Sequence, residues 1–168
     1  LFRQTKEQWQ AVKTYFAARF LNIKMEIVLF GLIGVLGAAM ETVPFEALLS
    51  GFLEMVMSLG YGGTFILSLA LVYVISVAAL VGVHPLVSLT ILLVAVNPAA
   101  VGLSPLFVGY LLLGGYGIAL INSPFSGTLL LVSGQLDHSP WEVGLKWNKF
   151  YLLLYPSLLV GLMLLLGF

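Results

Sequence analysis

Residues that could bind or transform a solute are concentrated in two short runs, 82–85 and 122–128, within an otherwise apolar sequence. Between Met55 and Leu136 there is no Asp, Glu, Lys or Arg. The two runs bring together amide, hydroxyl and imidazole groups, which donate and accept hydrogen bonds, with glycine and proline, which interrupt helices. We predict that both runs contact a solute. The predicted contact residues are Gly82, His84, Pro85, Asn122, Ser123, Pro124, Ser126, Gly127 and Thr128.

Each residue type has an expected role at such a site. Asn122, Ser123, Ser126 and Thr128 would hydrogen-bond to the solute, and His84 would hydrogen-bond to it or accept a proton. Gly127 would allow the backbone to approach closely. The alternative for either run is purely structural, because a Gly-Pro interruption is also the ordinary sequence of a kink or a loop between helices.

Enzymatic chemistry is disfavoured by the same residues. Ser126 and His84 could form a nucleophile–base pair, but Pro124 and Phe125 precede the serine where a Gly-x-Ser-Gly context is expected. The chain has no Cys and only two His residues, without metal-ligand spacing, so we predict no enzyme activity, no metal site and no cofactor.

Composition indicates the class of protein. The 168 residues are 61% hydrophobic and only 8% charged, whereas soluble domains carry roughly 25% charged residues. Net charge is zero, so no nucleic-acid partner is expected. We therefore predict an all-α polytopic membrane protein whose first partner is the lipid bilayer.

The elements that must position the two runs follow from hydropathy. Residues 1–24 hold five of the seven basic residues among aromatic ones, which predicts an amphipathic helix in the membrane interface. Residues 25–168 then form one transmembrane domain. Its predicted spans are 23–40, 64–83, 106–134 and 150–168, and 41–60 is either a further span, which we favour, or an interfacial helix.

Two of these elements are irregular. Leu86–Val96 has 11 apolar residues, which rise about 16 Å as a helix, roughly half the hydrocarbon thickness. We predict that it forms a re-entrant hairpin with 71–81 and that 82–85 is the tip. The span from Leu106 to Gly134 is predicted to unwind at 122–128, and non-helical backbone at membrane depth is tolerated only inside protein or beside water.

Basic residues predict the orientation. They occur only before residue 25 and at Lys146 and Lys149, so both regions are expected on the cytoplasmic side of a plasma or bacterial inner membrane. The C-terminus would then lie outside.

From Gly82 to Asn148 the chain resembles the C-terminal half of the ion-transporter superfamily, which includes divalent anion/sodium symporters and citrate, arsenite and dicarboxylate carriers. The resemblance lies in the run 121–128, the Ser133-Gly134-Gln135 turn and the amphipathic segment 141–148. It implies one inverted-repeat unit with an interfacial helix, a re-entrant hairpin and a broken transmembrane helix. The symporters carry a Ser-Asn-Thr triad at the hairpin tip, where this chain has Val83-His84-Pro85, so the coupling ion, Na⁺ or H⁺, stays open.

The predicted function is that of the C-terminal half of a secondary active transporter, which moves a small anionic or carboxylate solute by alternating access. Its implied partners are the solute and the other inverted half, upstream in the same chain or in a partner subunit, and a homodimer is compatible with this reading. The alternatives are a non-transporting membrane scaffold subunit and, less favoured, a channel.

Overall fold

The computed structural model describes the backbone of residues 2–20 and 23–167 and the side chains of residues 6, 8–17, 27–45 and 47–167. Leu1, Leu21, Asn22 and Phe168, which fall in predicted helices, lie outside the described residues. The described chain is helical and contains no β-strand. Its helices are α1 (Phe2–Phe20), α2 (Ile23–Met40), α3 (Phe45–Met57), α4 (Tyr61–Leu80), α5 (Pro85–Ala95), α6 (Pro105–Asn122), α7 (Gly127–Leu136) and α8 (Lys149–Leu165).

Three helices begin with the same kind of side-chain N-cap. The side chains of His84, Ser104 and Ser126 accept hydrogen bonds from backbone N–H groups in the first turns of α5, α6 and α7. Such caps satisfy a donor that has no acceptor within the helix. In α5 and α6 the next residue is Pro, whose missing N–H costs nothing at that position.

Helices α4 and α6 form the centre of the fold and run in the same direction. Early in the contact, Gly115 lies against the Val72 carbonyl. Further along both helices, Asn122 contacts Ser76. Because α4 and α6 are parallel, α5 and the connection 96–104 return the chain over the length of the bundle between them.

The core is apolar and lies mainly between α4, α6 and α8. Val72, Ile75, Phe107, Leu111 and Val160 are all fully buried in it. The close approach of α4 and α6 depends on Gly115, since a Cβ there would lie 2.6 Å from the Val72 carbonyl oxygen.

Helix α2 packs beside α5 and ends at the same end of the fold as α5. A Cβ built on Gly37 would lie 3.2 Å from Thr90, and the turn 41–45 borders a cavity together with Val94. The start of α2 therefore lies toward the start of α5, at Pro85.

Within residues 2–20 and 23–167, two stretches are long and apolar enough to cross a membrane by length and composition. They are Tyr61–Leu80, with a mean hydropathy of 2.3, and Pro105–Leu136, with a mean hydropathy of 1.6. Helix α4 is unbroken over Tyr61–Leu80, so residues 71–80 of the predicted hairpin arm form the second half of that helix.

The segment 41–60 does not form the full-length span that we favoured. Residues 41–44 form a turn and α3 has 13 residues, which rise about 20 Å. That length is shorter than the hydrocarbon core of about 30 Å.

Candidate functional site

The two interruptions lie side by side at one end of the α4–α6 pair. The Ser123 hydroxyl donates a 2.7 Å hydrogen bond to the Ala79 carbonyl in the last turn of α4. A Cβ built on Gly82 would lie 3.7 Å from the Phe125 ring. Residues 43 and 44 positions apart in the sequence are thus neighbours, and α5 and α7 both begin where α4 and α6 end.

The first interruption has the geometry of a regular helix stop. Gly82 has a φ of 90°, and the N–H groups of Gly82 and Val83 donate to the carbonyls of Ala79 and Ala78. This pair of bonds is the Schellman motif, which closes a helix with a glycine in a left-handed conformation. The backbone conformation of this helix stop is therefore enough to explain why position 82 is a glycine.

His84 and Pro85 differ in exposure. Pro85 is buried at the first position of α5, and His84 is exposed. The Nδ1 atom of His84 accepts a 3.3 Å hydrogen bond from Leu86 N–H. Since Nδ1 is the acceptor, the Nε2 edge of the neutral ring carries the proton and is available to a second molecule.

The serine hydroxyls of the second interruption already have protein partners. Ser123 donates to Ala79, as described above, and its oxygen accepts from Phe125 N–H at 3.3 Å. Ser126 donates to the Leu120 carbonyl at 2.6 Å and accepts from Leu129 N–H at 3.1 Å. Both serines hold the break in shape, so a solute would have to displace one of these bonds to gain the hydroxyl proton.

Asn122 is buried and only partly satisfied. Its Nδ2 donates a 2.6 Å hydrogen bond to Ser76 Oγ, whereas its Oδ1 has no hydrogen-bond partner in the described chain. Ser68, two turns earlier on α4, also has a buried hydroxyl with no partner among the described side chains. Unpaired buried polar atoms are rare in folded proteins and mark a ligand, a water or a functional constraint.

Of the remaining predicted contact residues, some are buried and others are exposed. Pro124 is buried, whereas Gly127 and Thr128 are exposed at the first turn of α7. A Cβ at Gly127 would have no neighbour within 4 Å. Thr128 lines a small, mostly apolar cavity together with Leu120 and Asn148.

Gly144 is a residue of this region that the sequence did not reveal. It lies in a π-helical turn, Glu142–Trp147, and a Cβ there would be 2.8 Å from the Asn122 carbonyl oxygen. Asn148 secures the same turn by donating a 2.7 Å hydrogen bond to the Val143 carbonyl. The signal in the sequence was the glycine inside the segment 141–148, and π-helical turns are frequent near functional sites.

A third cavity lies at the opposite end of the fold, between α3 and the end of α5. Its volume is about 240 Å³, and it combines apolar walls with the side chains of Ser50, Glu54 and Asn97. This cavity could not be predicted from the sequence, because α3 and α5 are separated along the chain by the whole of α4.

The described side chains form no group of three or more His, Asp or Glu residues that could hold a metal ion. In comparisons with known proteins, the chain matches no family model, no curated protein and no solved structure.

Proposed function

We propose that the chain is the site-bearing half of a membrane transporter for a small anionic solute, and that the solute binds beside the two helix interruptions. One observation carries the proposal: the interruptions are neighbours, joined by the Ser123–Ala79 hydrogen bond. Interrupted helices that meet in one place are the usual architecture of a transporter's binding site.

The distribution of side chains supports a membrane location. Helix α8 exposes Leu154, Leu158 and Leu162, which lie four residues apart along one face. Buried positions, in contrast, include Ser68, Ser76 and Asn122. Apolar residues outside and small polar residues between helices suit a lipid environment, and a soluble monomer rarely exposes so large an apolar surface.

The set of residues that we propose as solute contacts is smaller than the set predicted from the sequence. The Nε2 edge of His84 and the hydroxyl of Thr128 are exposed, and neither has a hydrogen-bond partner in the described chain. The Ser126 cap accepts from Leu129 N–H. The N–H groups of Gly127 and Thr128 have no acceptor within α7, and the positive end of the helix dipole favours an anion. Gly127, without a side chain, leaves this end open.

Uptake into liposomes tests the proposal directly. The full chain, together with the rest of its natural protein if a second half exists, is reconstituted with radiolabelled succinate as the probe and either a sodium or a proton gradient. We expect His84→Ala and Thr128→Val each to reduce uptake at least tenfold with unchanged membrane insertion. Ser157→Ala, which changes a hydroxyl on α8 away from the break, is the control. Equal uptake by all three variants would contradict the site.

A non-transporting scaffold is the second candidate, because one specific observation favours it. The hydroxyl protons of Ser123 and Ser126 are both used inside the protein, and Gly82 is part of a regular helix stop. These contacts are what a purely structural pair of turns would need.

Water accessibility separates the two candidates. The chain has no natural Cys, so His84→Cys and Thr128→Cys each introduce a single thiol. In a transporter both thiols react with a membrane-impermeant maleimide, and succinate slows the reaction. In a scaffold, succinate has no effect on either rate. Ile118→Cys, at a fully buried position of α6, serves as the unreactive control.

The orientation that we propose keeps both basic regions on the cytoplasmic side. Lys146 lies in the π-helical turn that contacts Asn122 at the end of α6, and Lys149 follows that turn at the start of α8. The start of α2, which follows the basic helix α1, lies toward the same end of the fold, as the Gly37–Thr90 contact indicates. The common position of these regions supports one cytoplasmic face and an outside C-terminus.

A further inference from the structure

Helix α1 has a continuous exposed face that joins aromatic and basic side chains. Trp9, Val12 and Phe16 are spaced at i, i+3 and i+7, which places them on one side of the helix. All three are exposed, Trp9 at 60% and Phe16 at 66%. The main contact of α1 with the rest of the described chain is with α2, so this face is left uncovered.

Lysines border the apolar face. Lys6 and Lys13 lie seven residues apart, two turns along the same side of α1, and both are exposed. The Lys13 ammonium lies 5.7 Å from the centroid of the Trp9 ring. Neither lysine forms an ion pair with any described side chain. A lysine held beside an aromatic ring can place its charge in the headgroup layer while the ring enters the acyl boundary.

The charge of the helix selects the partner. The sequence of α1 contains four basic residues, Arg3, Lys6, Lys13 and Arg19, and one acidic residue, Glu7. We propose that α1 docks on anionic phospholipid headgroups, with Lys6 and Lys13 on the phosphates and Trp9, Val12 and Phe16 below them. This inference rests on the membrane location proposed above, and it adds a requirement for a class of lipid.

The strength of the expected effect follows from the surface potential of anionic lipids. Each Lys near such a surface is worth about fivefold in binding, so two lysines give a difference of about 25-fold. The effect should weaken with salt, since the Debye length falls from about 10 Å at about 0.1 M to about 3 Å at about 1 M.

Spin labels on the full chain measure the docking. Val12→Cys reports the apolar face and Gln10→Cys the polar face, each in nanodiscs of phosphatidylcholine alone or with one third phosphatidylglycerol. With the anionic lipid we expect the label at 12 to become accessible to oxygen and protected from a water-soluble nickel chelate, and the label at 10 to stay in water. Without it, both labels stay in water.

Charge variants give the decisive comparison. In the anionic nanodiscs, Lys6→Gln/Lys13→Gln should lower the docking equilibrium constant about 25-fold, and about 1 M salt should do the same to the native helix. Lys146→Gln/Lys149→Gln removes the same charge elsewhere and should leave the label at 12 unchanged. A label at 12 that is equally buried in both lipids, or that ignores the Lys6/Lys13 change, would overturn the proposal and indicate that α1 packs on protein.

Membrane insertion is measured on the same samples by carbonate extraction. A chain that is extracted by carbonate contradicts the membrane location. A chain that resists extraction while α1 shows no lipid dependence contradicts only the anionic docking, so the two failures are distinguishable.

Discussion

The hydroxyl of Tyr73 donates a 2.9 Å hydrogen bond to the backbone carbonyl of Leu152. Leu152 lies four residues before Pro156, in the interior of α8. Because proline has no backbone N–H, the carbonyl four residues earlier has no donor within its helix. Tyr73 thus supplies the hydrogen bond that Pro156 removes, and in doing so it joins α4 to α8.

Replacing Tyr73 by Phe should therefore leave the Leu152 carbonyl without a donor. We expect the free energy of unfolding to fall by about 1–3 kcal/mol, the cost of an unsatisfied buried polar group. Pro156→Ala restores an N–H at position 156, so Tyr73→Phe should cost less in that background. Denaturant unfolding in mild detergent measures all four proteins of this cycle. An identical cost in both backgrounds would show that Tyr73 does not compensate for the proline.

Two glycines of α6 offer a matched test of helix packing. A Cβ at Gly115 would lie 2.6 Å from the Val72 carbonyl oxygen, whereas one at Gly117 has no neighbour within 4 Å. Gly115→Ala should lower the free energy of unfolding by about 1–3 kcal/mol, because backbone cannot give way. Gly117→Ala should be neutral or stabilising by up to about 1 kcal/mol, since alanine favours helix. Thermal unfolding in the same detergent compares them, and similar midpoints would argue against the parallel α4–α6 contact.

Removal of the Ser126 side chain should loosen the start of α7. The hydroxyl caps Leu129 N–H and also reaches the Leu120 carbonyl across the break. We expect Ser126→Ala to destabilise this turn by about 0.5–2 kcal/mol and to raise the hydrogen-exchange rate of residues 127–130. Ser126→Thr keeps a hydroxyl and should retain most of the protection. If the hydrogen-exchange rate is unchanged in the alanine variant, the Ser126 cap does not stabilise this break.

Asn122 and Ser76 should be energetically coupled. Their side chains share a buried 2.6 Å hydrogen bond between α6 and α4. In a double-mutant cycle with alanine at each position, we expect a coupling of about 0.5–1.7 kcal/mol, the range for hydrogen bonds between membrane helices. Ser50, an exposed serine on α3, replaces Ser76 in the control cycle with Asn122 and should give none. Strictly additive costs for Asn122 and Ser76 would contradict the contact.

The positions of the breaks could be predicted from sequence because their signals are local. Glycine, proline and small polar residues stop and start helices within a few residues of themselves. The predicted half-helix at 86–96 is α5, Pro85–Ala95, and the predicted run 106–121 is α6, Pro105–Asn122. Each boundary is displaced by one residue only.

Contacts between residues that are distant in the sequence could not be predicted from such local signals. Nothing near Tyr73 in the sequence indicates Leu152 as its partner, and nothing near Ser76 indicates Asn122. For 41–60 we favoured a membrane span over an interfacial helix, but Pro44 and the Gly60 turn limit the helix to 13 residues. The roles of Ser123 and Ser126 depended on which carbonyls the fold brings within reach, so their internal hydrogen bonds could not be foreseen.

The parallel arrangement of α4 and α6 also sets the order in which the chain can assemble. The partner of Ser76 on α6 is 46 residues further along, and a ribosome adding 5–20 residues per second needs roughly 2–9 s to reach it. During that interval α4 has emerged without the helix that covers its central face. We therefore expect a chaperone or insertion factor that shields α4 for a few seconds to raise the yield of folded protein.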